Sequence, residues 1–582
     1  MSFNFLYIKK QIPSQEEGKQ LFRSFSIKEW ILFCALGITI LVSVISILIS
    51  INNTFLVDVA KSGGSVSEGI VGTPRFVNPV LAISDPDRDL TMLVYSGLMR
   101  KNPDGILITD LAEKYTVSEN GLEYVFTLKK GLEFQDKTPI TSSDIAFTIA
   151  KIKDPIIKSP KKANWDGVNT EVIDPQTIKF TLKQKYAGFL ENTTIGILPE
   201  HLWKDLTPEE FGLSKQNING IGSGPFLIKN ISESSDGIPQ YYELKGFKKF
   251  ALGEPYIKTL FIKFYSGEKE LIDVLKSGGV DAINEITPSE AKKLEDSRYE
   301  ISTSSLPRVF GLYFNQTEAP IFTDKNVRKA ISLVIDRKAI IDNILSGYGT
   351  EINSPFPPRL LNREEISDGD KPHFNQDLAQ AETLLKTSGW NKNSLGIWEK
   401  KDKKQTKTLT FSIATSDTPE LKNTAMMIKD ALVAFGISAE VKVFEIGTLN
   451  QSIIRPRKYD ALFFGQIVNH ETDLYAFWHS SQRNDPGLNI AMYTSAKVDS
   501  LIENAGATLD DDKRTKIYTD IEKEIGSDMP AVFIYSPEFI YIHRDKILGQ
   551  KINKITTPAM RFTDVYSWYR EIDHVWKIFA KN

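Results

Sequence analysis

The sequence predicts an α/β protein preceded by one N-terminal transmembrane helix. The first observation is that residues 30–51 carry no charge, and as a helix they would span roughly 30 Å, the thickness of a bilayer core. The second is a strand–helix–strand pattern over residues 408–443. The third is a stretch at 106–134 that is typical of antiparallel strands. Together they indicate mixed α/β lobes behind a membrane segment.

The composition excludes several classes of protein. The chain has 582 residues, 71 basic and 74 acidic side chains and 41% hydrophobic residues, which is ordinary for several globular domains rather than a disordered or fibrous protein. The single cysteine, Cys34, excludes an intrachain disulfide and a multi-cysteine metal site. A formal charge of −3 gives no electrostatic basis for binding nucleic acid. No two of the six histidines stand at i, i+4, so the usual zinc-hydrolase signature is absent.

The apolar run sets the expected topology. Basic residues exceed acidic ones before it, so we expect residues 1–29 in the cytoplasm and the remaining body outside the cell or in the periplasm. A cleaved signal peptide is an alternative, although it would have a shorter apolar region and a small-x-small site. A lipoprotein would have its cysteine at the end of the run, whereas Cys34 is near the start. We therefore predict a single-pass, uncleaved anchor at 30–51 and a linker at 52–65.

The clearest local pattern lies in the second half of the chain. Residues 408–414 alternate as a strand does. Thr418 and Pro419 then open a helix that Gly436 ends, since proline favours the first turn of a helix and glycine the position after its end. Residues 437–443 alternate again. A strand–helix–strand unit of this kind favours a parallel or mixed sheet.

Further helices and one hairpin complete the predicted elements. The periodicity predicts one long helix over 324–345 and another over 375–388, which begins at Asn375 and is closed by Gly389. Asn120 and Gly121 predict a hairpin turn, and a helix is expected to start near residues 141–144.

A search for catalytic motifs gives a negative result. No phosphate-binding loop is present, and the glycine-rich stretch at 220–225 lacks the spacing of a nucleophile elbow, so it predicts a close backbone crossing or a turn. Glu471 and Asp473, with His470 and His479, could be drawn as a metal or acid–base site, but local hydrogen bonding is the simpler interpretation. We expect no enzyme activity, no metal and no cofactor.

Seven stretches resemble, in order, the motifs of one protein family. The chain is similar to the extracellular solute-binding proteins of the family 5 type, which are the receptors of peptide and nickel ABC transporters. The resemblance covers roughly residues 66–545. The matching stretches are 76–79, 93–98, 110–115, 121–126, 128–134 with 138–147, 222–226, and 315–341.

The resemblance implies the two-lobed periplasmic-binding-protein fold of the large class, which has an extra inserted subdomain. Mapped by motif order, lobe one would contain residues 66–105, 220–315 and 535–582. The inserted subdomain would be 106–219, and lobe two would be 316–534. The two lobes of this fold close on a ligand about a hinge.

The resemblance also implies a ligand-binding site between the lobes. In peptide-binding relatives an extended peptide lies between two backbone stretches, one from each lobe, and pairs with them as an added strand. By motif, the stretch in lobe one corresponds to Thr73, Pro74 and Arg75, and the stretch in lobe two to Gly465, Gln466 and Ile467.

Two departures from the family pattern concern this site. Pro74 has no amide hydrogen, so one main-chain donor is missing. Peptide receptors place an aspartate about four residues after the glycine of lobe two to pair with the ligand's amino terminus, and this chain has Asn469 there. Asparagine lacks the strength of a charge-assisted hydrogen bond. Glu471 or Asp473 could supply the carboxylate instead.

The function implied is that of a membrane-anchored, external substrate-binding component of an ABC importer. It would bind oligopeptides, deliver them to the permease and ATPase subunits, and act as a monomer held to the cell membrane by residues 30–51. One alternative is a receptor for a non-peptide solute, such as an oligosaccharide or a metal chelate. Another is a surface sensor or adhesion protein on the same fold.

Overall fold

Contacts divide the chain into two units. A computed structural model describes residues 16, 19–20, 23–295, 299–357, 376–402, 405–468, 473–544 and 547–580. The first unit contains Met1–Lys61 and Glu571–Asn582, and the second contains Ser62–Arg570.

A long apolar helix dominates the first unit. The helix Ile27–Phe55 begins at a capping box formed by Ser26 and Glu29, and its length and composition suffice to cross a membrane. The strand Leu56–Lys61 follows directly and pairs antiparallel with the C-terminal strand Glu571–Trp576. The segment 52–65, which we expected to be a linker, therefore contains the end of the helix and a strand.

A continuous sheet of 12 strands forms the frame of the second unit. Its main strand order is Ser438–Phe444, Thr410–Ser416, Ala461–Ile467, Arg308–Phe314, Ala531–His543, Ala282–Asn284, Ser65–Val71, Thr259–Tyr265, Pro239–Gly246 and Phe226–Glu233. Glu300–Ser305 and Gly349–Glu351 also pair with Ala531–His543.

The long strand Ala531–His543 joins the two halves of this sheet. Its first residues pair with Arg308–Phe314, and its last residues pair with Ala282–Asn284 and Glu300–Ser305. Among the described residues, one hydrophobic core lies between positions 66 and 262, together with 547–568, and two lie between 309 and 535. Two smaller cores lie between 271 and 542 and between 282 and 560. The unit is therefore two-lobed, as the sequence predicts, and the lobes are joined by two chain crossings.

The predicted hairpin belongs to a four-stranded antiparallel sheet that packs on the core of lobe one. Its strands are, in order, Ala112–Val117, Glu123–Leu128, Thr177–Leu182 and Val168–Asp174. Gly121 has φ of +68° in the turn, a conformation that favours glycine. The helix Ser142–Lys153 follows, and Thr141 and Asp144 form its capping box, as expected. Met99–Lys101 and Leu107–Thr109 form a separate two-stranded sheet.

The strand–helix–strand prediction is confirmed in lobe two. The strands Thr410–Ser416 and Ser438–Phe444 pair in parallel, and the helix Pro419–Phe435 connects them. Gly436 follows the helix with φ of +99°, and a Cβ there would lie 2.2 Å from the Gly396 carbonyl oxygen. Only glycine satisfies both conditions.

The long helix predicted over 324–345 is wrong, because the structure has two helices, Lys325–Val334 and Arg337–Ile344. The Asp336 side chain accepts the Ala339 amide and so begins the second helix. The buried Arg337 donates through Nε to the Phe533 carbonyl oxygen at 2.9 Å, which fixes the break. The helix predicted over 375–388 is Leu378–Thr387, and Asn375 lies outside the described residues.

The remaining elements cover both lobes. In the described part of the chain, the further helices are Asp85–Val94, Lys162–Trp165, Phe189–Asn192, Glu200–Trp203, Pro208–Phe211, Glu268–Ser277, Pro288–Glu295, Ile446–Thr448, Leu474–Trp478, Ala496–Ala507 and Asp511–Asp528. A small sheet contains Asn391–Lys392, Trp398–Asp402 and Gln405–Thr408.

Candidate functional site

One strand of lobe two has an open edge. Ala461–Ile467 pairs along its whole length with Arg308–Phe314 on one side. On its other side it pairs with Thr410–Ser416 only at Ala461 and Leu462, and the Thr415 hydroxyl then donates to the Phe463 carbonyl oxygen at 3.1 Å. Beyond that point, the described residues supply no strand neighbour on this side. A crevice at the carboxyl ends of diverging parallel strands is where α/β sheets commonly bind ligands.

The register shows which main-chain groups face this open edge. The Val468 amide donates to the Pro307 carbonyl oxygen at 2.8 Å, and the Asn315 amide donates to the Asp460 carbonyl oxygen at 2.9 Å. Hydrogen-bonded pairs alternate along an antiparallel ladder, so the main chain of Gln466 faces the neighbouring strand. The N–H and C=O groups of Gly465 and Ile467 therefore face the open edge.

The side chains of this strand differ in their surroundings. A Cβ at Gly465 would lie 2.6 Å from the Phe310 ring, which stacks on Tyr535 with a centroid distance of 4.9 Å. Glycine is thus required beside this aromatic pair. Gln466 is 5% exposed, and its Oε1 has no hydrogen-bond partner among the described residues, whereas Ile467 is 51% exposed.

The predicted segment of lobe one has fewer main-chain donors than we expected. The Asp87 Oδ1 accepts the amide of Arg75 at 2.7 Å and that of Phe76 at 2.9 Å. Pro74 is buried and has no amide hydrogen. The segment can therefore offer a ligand the Thr73 amide, its carbonyl oxygens and the exposed side chains of Thr73 and Arg75.

A cavity of about 460 Å³ extends from lobe one to the strand Ala461–Ile467. The helix Asp85–Val94 and residues between 164 and 196 line it on one side, and Arg308 and Ile467 line it on the other. Of the residues predicted from the sequence, Ile467 lines this cavity in the described part of the chain, and Thr73, Pro74, Arg75, Gly465, Gln466 and Asp473 do not.

The cavity wall in lobe one carries a carboxyl pair. Asp85 lines the cavity, and its Oδ1 is 3.2 Å from the Nη1 of Arg88. Glu285 follows the strand Ala282–Asn284 with φ of +61° and hydrogen-bonds to Asp85. Burial, and next the negative charges of Asp85 and Asp89, raise the pKa of Glu285 to about 7. Glu285 therefore loses its proton near neutral pH.

A buried ionic network lies next to this wall. The Arg561 guanidinium donates to Glu68 Oε1 at 2.7 Å and to both oxygens of Asp89 at 2.8 and 2.6 Å. All three side chains are buried, and Tyr541 Oη donates to Glu68 Oε2 at 2.9 Å. The network ties the strand Ser65–Val71 and the helix Asp85–Val94 to a C-terminal segment. Sequence reasoning missed Arg561, which lies beyond the stretch covered by the resemblance.

Lobe two contributes one carboxylate near the hinge that sequence reasoning also missed. Glu420 lies in the first turn of the helix Pro419–Phe435. Burial raises its pKa, and the positive charge of Arg308 acts against this rise. Asp473 precedes the helix Leu474–Trp478, while Asn469 and Glu471 lie outside the described residues.

Two further predictions can be compared with the structure. The glycine-rich stretch at 220–225 is a close backbone crossing: a Cβ on Gly222 would lie 2.2 Å from the Val94 carbonyl oxygen, and one on Gly224 would lie 2.6 Å from the Tyr95 nitrogen. The described residues contain no group of three or more His, Cys, Asp or Glu side chains placed to hold a metal ion. His479 bonds through Nδ1 to Ser481 Oγ at 2.8 Å, and His470 lies outside the described residues.

Comparisons with known proteins agree with this architecture. The family model described as bacterial extracellular solute-binding proteins, family 5 Middle, matches residues 107–487. The chain is 27% identical over 521 residues to the oligopeptide-binding protein AppA of Bacillus subtilis, covering 88% of this chain and 92% of that protein. It is 25% identical over 498 residues to the probable D,D-dipeptide-binding periplasmic protein DdpA of Escherichia coli, covering 83% and 91%.

Solved structures share the fold. The ABC transporter substrate-binding protein CtaP of Listeria monocytogenes matches with a TM-score of 0.73 and 25% identity, over 88% of this chain and 99% of that chain. The Bacillus subtilis AppA structure, in complex with a nonapeptide, matches with a TM-score of 0.63 and 24% identity, over 88% and 99%. The two-lobed fold class predicted from the sequence is confirmed.

Proposed function

The chain belongs to the bacterial extracellular solute-binding proteins of family 5, and on that premise we propose that it is the membrane-anchored, external receptor of an ABC importer that takes up oligopeptides. This family consists of solute-binding transport proteins, which are not enzymes. The observation that carries the choice of a peptide is the open strand edge at Gly465 and Ile467.

A peptide is the ligand that best uses such an edge. The outward N–H and C=O groups of Gly465 and Ile467 would pair with the main chain of an extended peptide, as a further strand of the sheet. Main-chain hydrogen bonds do not depend on the ligand's side chains, so one site can accept many sequences. The AppA structure of Bacillus subtilis contains a nonapeptide, which supports this class of ligand.

Lobe one would complete the site from the opposite wall. The segment Thr73, Pro74 and Arg75 would offer the ligand one amide donor, that of Thr73, and its carbonyl oxygens. Gln466 is also part of the proposed site. In the segment after the strand, position 469 carries asparagine where peptide receptors have an aspartate, so Glu471 or Asp473 would pair with the ligand's amino terminus instead. A carboxylate that holds an ammonium group forms a charge-assisted hydrogen bond, which is about twice as strong as a neutral one.

Delivery would follow from closure of the lobes. The two crossings, 300–314 and 531–543, supply a hinge, and a ligand shifts the population toward the closed state only through contacts that are better there. We include in the proposal the expected lobe boundaries, a monomeric state and docking of the closed form on the permease. The helix Ile27–Phe55 would hold the receptor near that permease and raise its effective concentration.

The test uses the full chain, purified in mild detergent. Mass spectrometry of the denatured protein identifies retained ligands, and thermal unfolding is then measured with peptides of two to ten residues, with oligosaccharides and with nickel–histidine. A ligand at 100 times its dissociation constant should add about 2.7 kcal/mol of stability. Stabilisation by peptides is the expected result. Stabilisation by a sugar or by the chelate, with no effect of any peptide, would contradict the proposal.

A further inference from the structure

Two strands of the first unit form a short β-ribbon. The strand Leu56–Lys61 leaves the apolar helix, and the C-terminal strand Glu571–Trp576 runs back beside it. Lys61 pairs with Glu571 at the end away from the helix, and Leu56 pairs with Trp576 at the helix end. The C-terminal strand therefore runs toward the helix.

Trp576 lies at the level where the apolar run ends. Its indole Nε1 donates to Asn52 Oδ1 at 2.7 Å, and Asn52 is the first residue after the uncharged run 30–51. The Trp576 ring is also 6.2 Å from the Phe55 ring, between centroids. Tryptophan is enriched at membrane–water interfaces because its ring is apolar and its N–H is polar.

The polarity of the ribbon changes along its length. Away from the helix it carries charged and polar residues among apolar ones: Lys61 Nζ is 3.9 Å from Glu571 Oε2, and His574 Nδ1 is hydrogen-bonded to Asp58 Oδ1 at 2.7 Å. The next two pairs toward the helix are Val57 with Val575 and Leu56 with Trp576. This gradient from charged to apolar matches the passage from water to a bilayer interface.

The chain exposes large apolar side chains directly after the ribbon. The single turn Lys577–Phe579 follows Trp576 directly. Ile578 is 78% exposed and Phe579 is 72% exposed, although both are large apolar residues. Lys577, between these apolar residues, could extend its charge toward lipid headgroups, as interfacial lysines do.

We propose that Trp576, Ile578 and Phe579 insert into the boundary between headgroups and acyl chains of the bilayer that the helix Ile27–Phe55 crosses. The segment 576–579 is then a second membrane contact, next to the end of the helix Ile27–Phe55. This inference rests on the membrane anchoring given under the proposed function. The occupant of the exposed apolar turn is lipid, because the turn directly follows Trp576, whose indole is hydrogen-bonded to Asn52 at the end of the membrane helix.

The test measures lipid contact at chosen positions in the full chain. Cys34 is the single cysteine, so a Cys34→Ser background allows one new cysteine to be labelled with an environment-sensitive fluorophore. The probe positions are Phe579→Cys and, in a second variant, Ile578→Cys. The matched control is Leu213→Cys, at a residue of the second unit that is 86% exposed. The proteins are reconstituted in phosphatidylcholine vesicles with and without nitroxide-labelled lipid.

We expect blue-shifted emission and quenching by the nitroxide lipid at 579 and 578, and neither effect at 213. Emission at both 579 and 578 that resembles the control would overturn the inference. A blue shift without quenching would also overturn it, since the turn would then be covered by protein. The unmodified chain labelled at Cys34 reports on the anchor separately. Quenching at Cys34 without quenching at 578 and 579 supports the membrane anchor and rejects only the second membrane contact. No quenching at any of these positions rejects both the anchor and the second contact.

Discussion

Substituting proline for Ile467 is expected to weaken ligand binding without unfolding the sheet. The Ile467 amide faces the open edge, so its loss breaks no hydrogen bond with the neighbouring strand. The Ile467 side chain is half exposed, and proline is tolerated on strand edges where the N–H faces outward. Stability should therefore change by less than about 1 kcal/mol.

The size of the effect on binding follows from one lost main-chain donor. A net hydrogen bond contributes about 0.5–1.5 kcal/mol, and a ligand carbonyl left unpaired in the closed cleft costs about 1–3 kcal/mol. Because 1.4 kcal/mol is a factor of ten, we expect the dissociation constant for a peptide to rise about tenfold. Isothermal titration with a peptide recovered from the purified protein measures this change.

Two matched variants separate the possible causes. Ile467→Ala removes the side chain but keeps the amide, so its peptide affinity should stay close to that of the unmodified protein. Gln466→Pro removes an amide that faces Val309 inside the ladder, so it should lose about 1–3 kcal/mol of stability. The reasoning is refuted if Ile467→Pro binds peptide normally, or if it destabilises the protein as much as Gln466→Pro does.

Two further predictions concern the charges of lobe one. The pKa of Glu285 is about 7 in the folded protein and near 4.5 when unfolded, so the folded state binds more protons between these values and stability falls as the pH rises through this window. Glu285→Gln should reduce the difference in the free energy of unfolding between pH 5 and pH 8 by up to about 3 kcal/mol, as measured by urea unfolding. An unchanged difference would contradict the assignment of this pH dependence to Glu285. Arg561→Met leaves the buried carboxylates of Glu68 and Asp89 without their cation, so the free energy of unfolding in urea should fall by about 3–5 kcal/mol. The surface control Lys269→Met should lose less than about 1 kcal/mol. Equal losses in these two variants would show that the network is not stabilised in this way.

Local sequence signals predicted the elements that depend on neighbouring residues. The strand–helix–strand unit around Pro419–Phe435 and the turn at Gly121 were predictable, because caps and glycine conformations act over a few residues. The long helix over 324–345 failed because its apolar period continues through the break, while Asp336 starts a new helix. A helix cap inside a continuous apolar pattern is a weak signal without tertiary contacts.

Long-range contacts were not predictable from one sequence. Arg561 meets Glu68 and Asp89 across separations of 493 and 472 residues, and the ribbon brings Asp58 to His574 across 516. No local pattern marks such pairs. In the same way, no local pattern shows that the edge of the strand Ala461–Ile467 is open, since this depends on where its pairing with Thr410–Ser416 stops.

The Asp87 carboxylate determines how many main-chain hydrogen bonds each lobe can offer a ligand in the proposed site. It occupies the amides of Arg75 and Phe76, and Pro74 has none, so lobe one keeps few main-chain donors. Lobe two keeps both donors and acceptors at Gly465 and Ile467. An extended peptide can therefore form most of its main-chain hydrogen bonds on lobe two before the cleft closes. In the proposed function, closure would then add the carbonyl oxygens and charged side chains of lobe one, and these later contacts would favour the closed state.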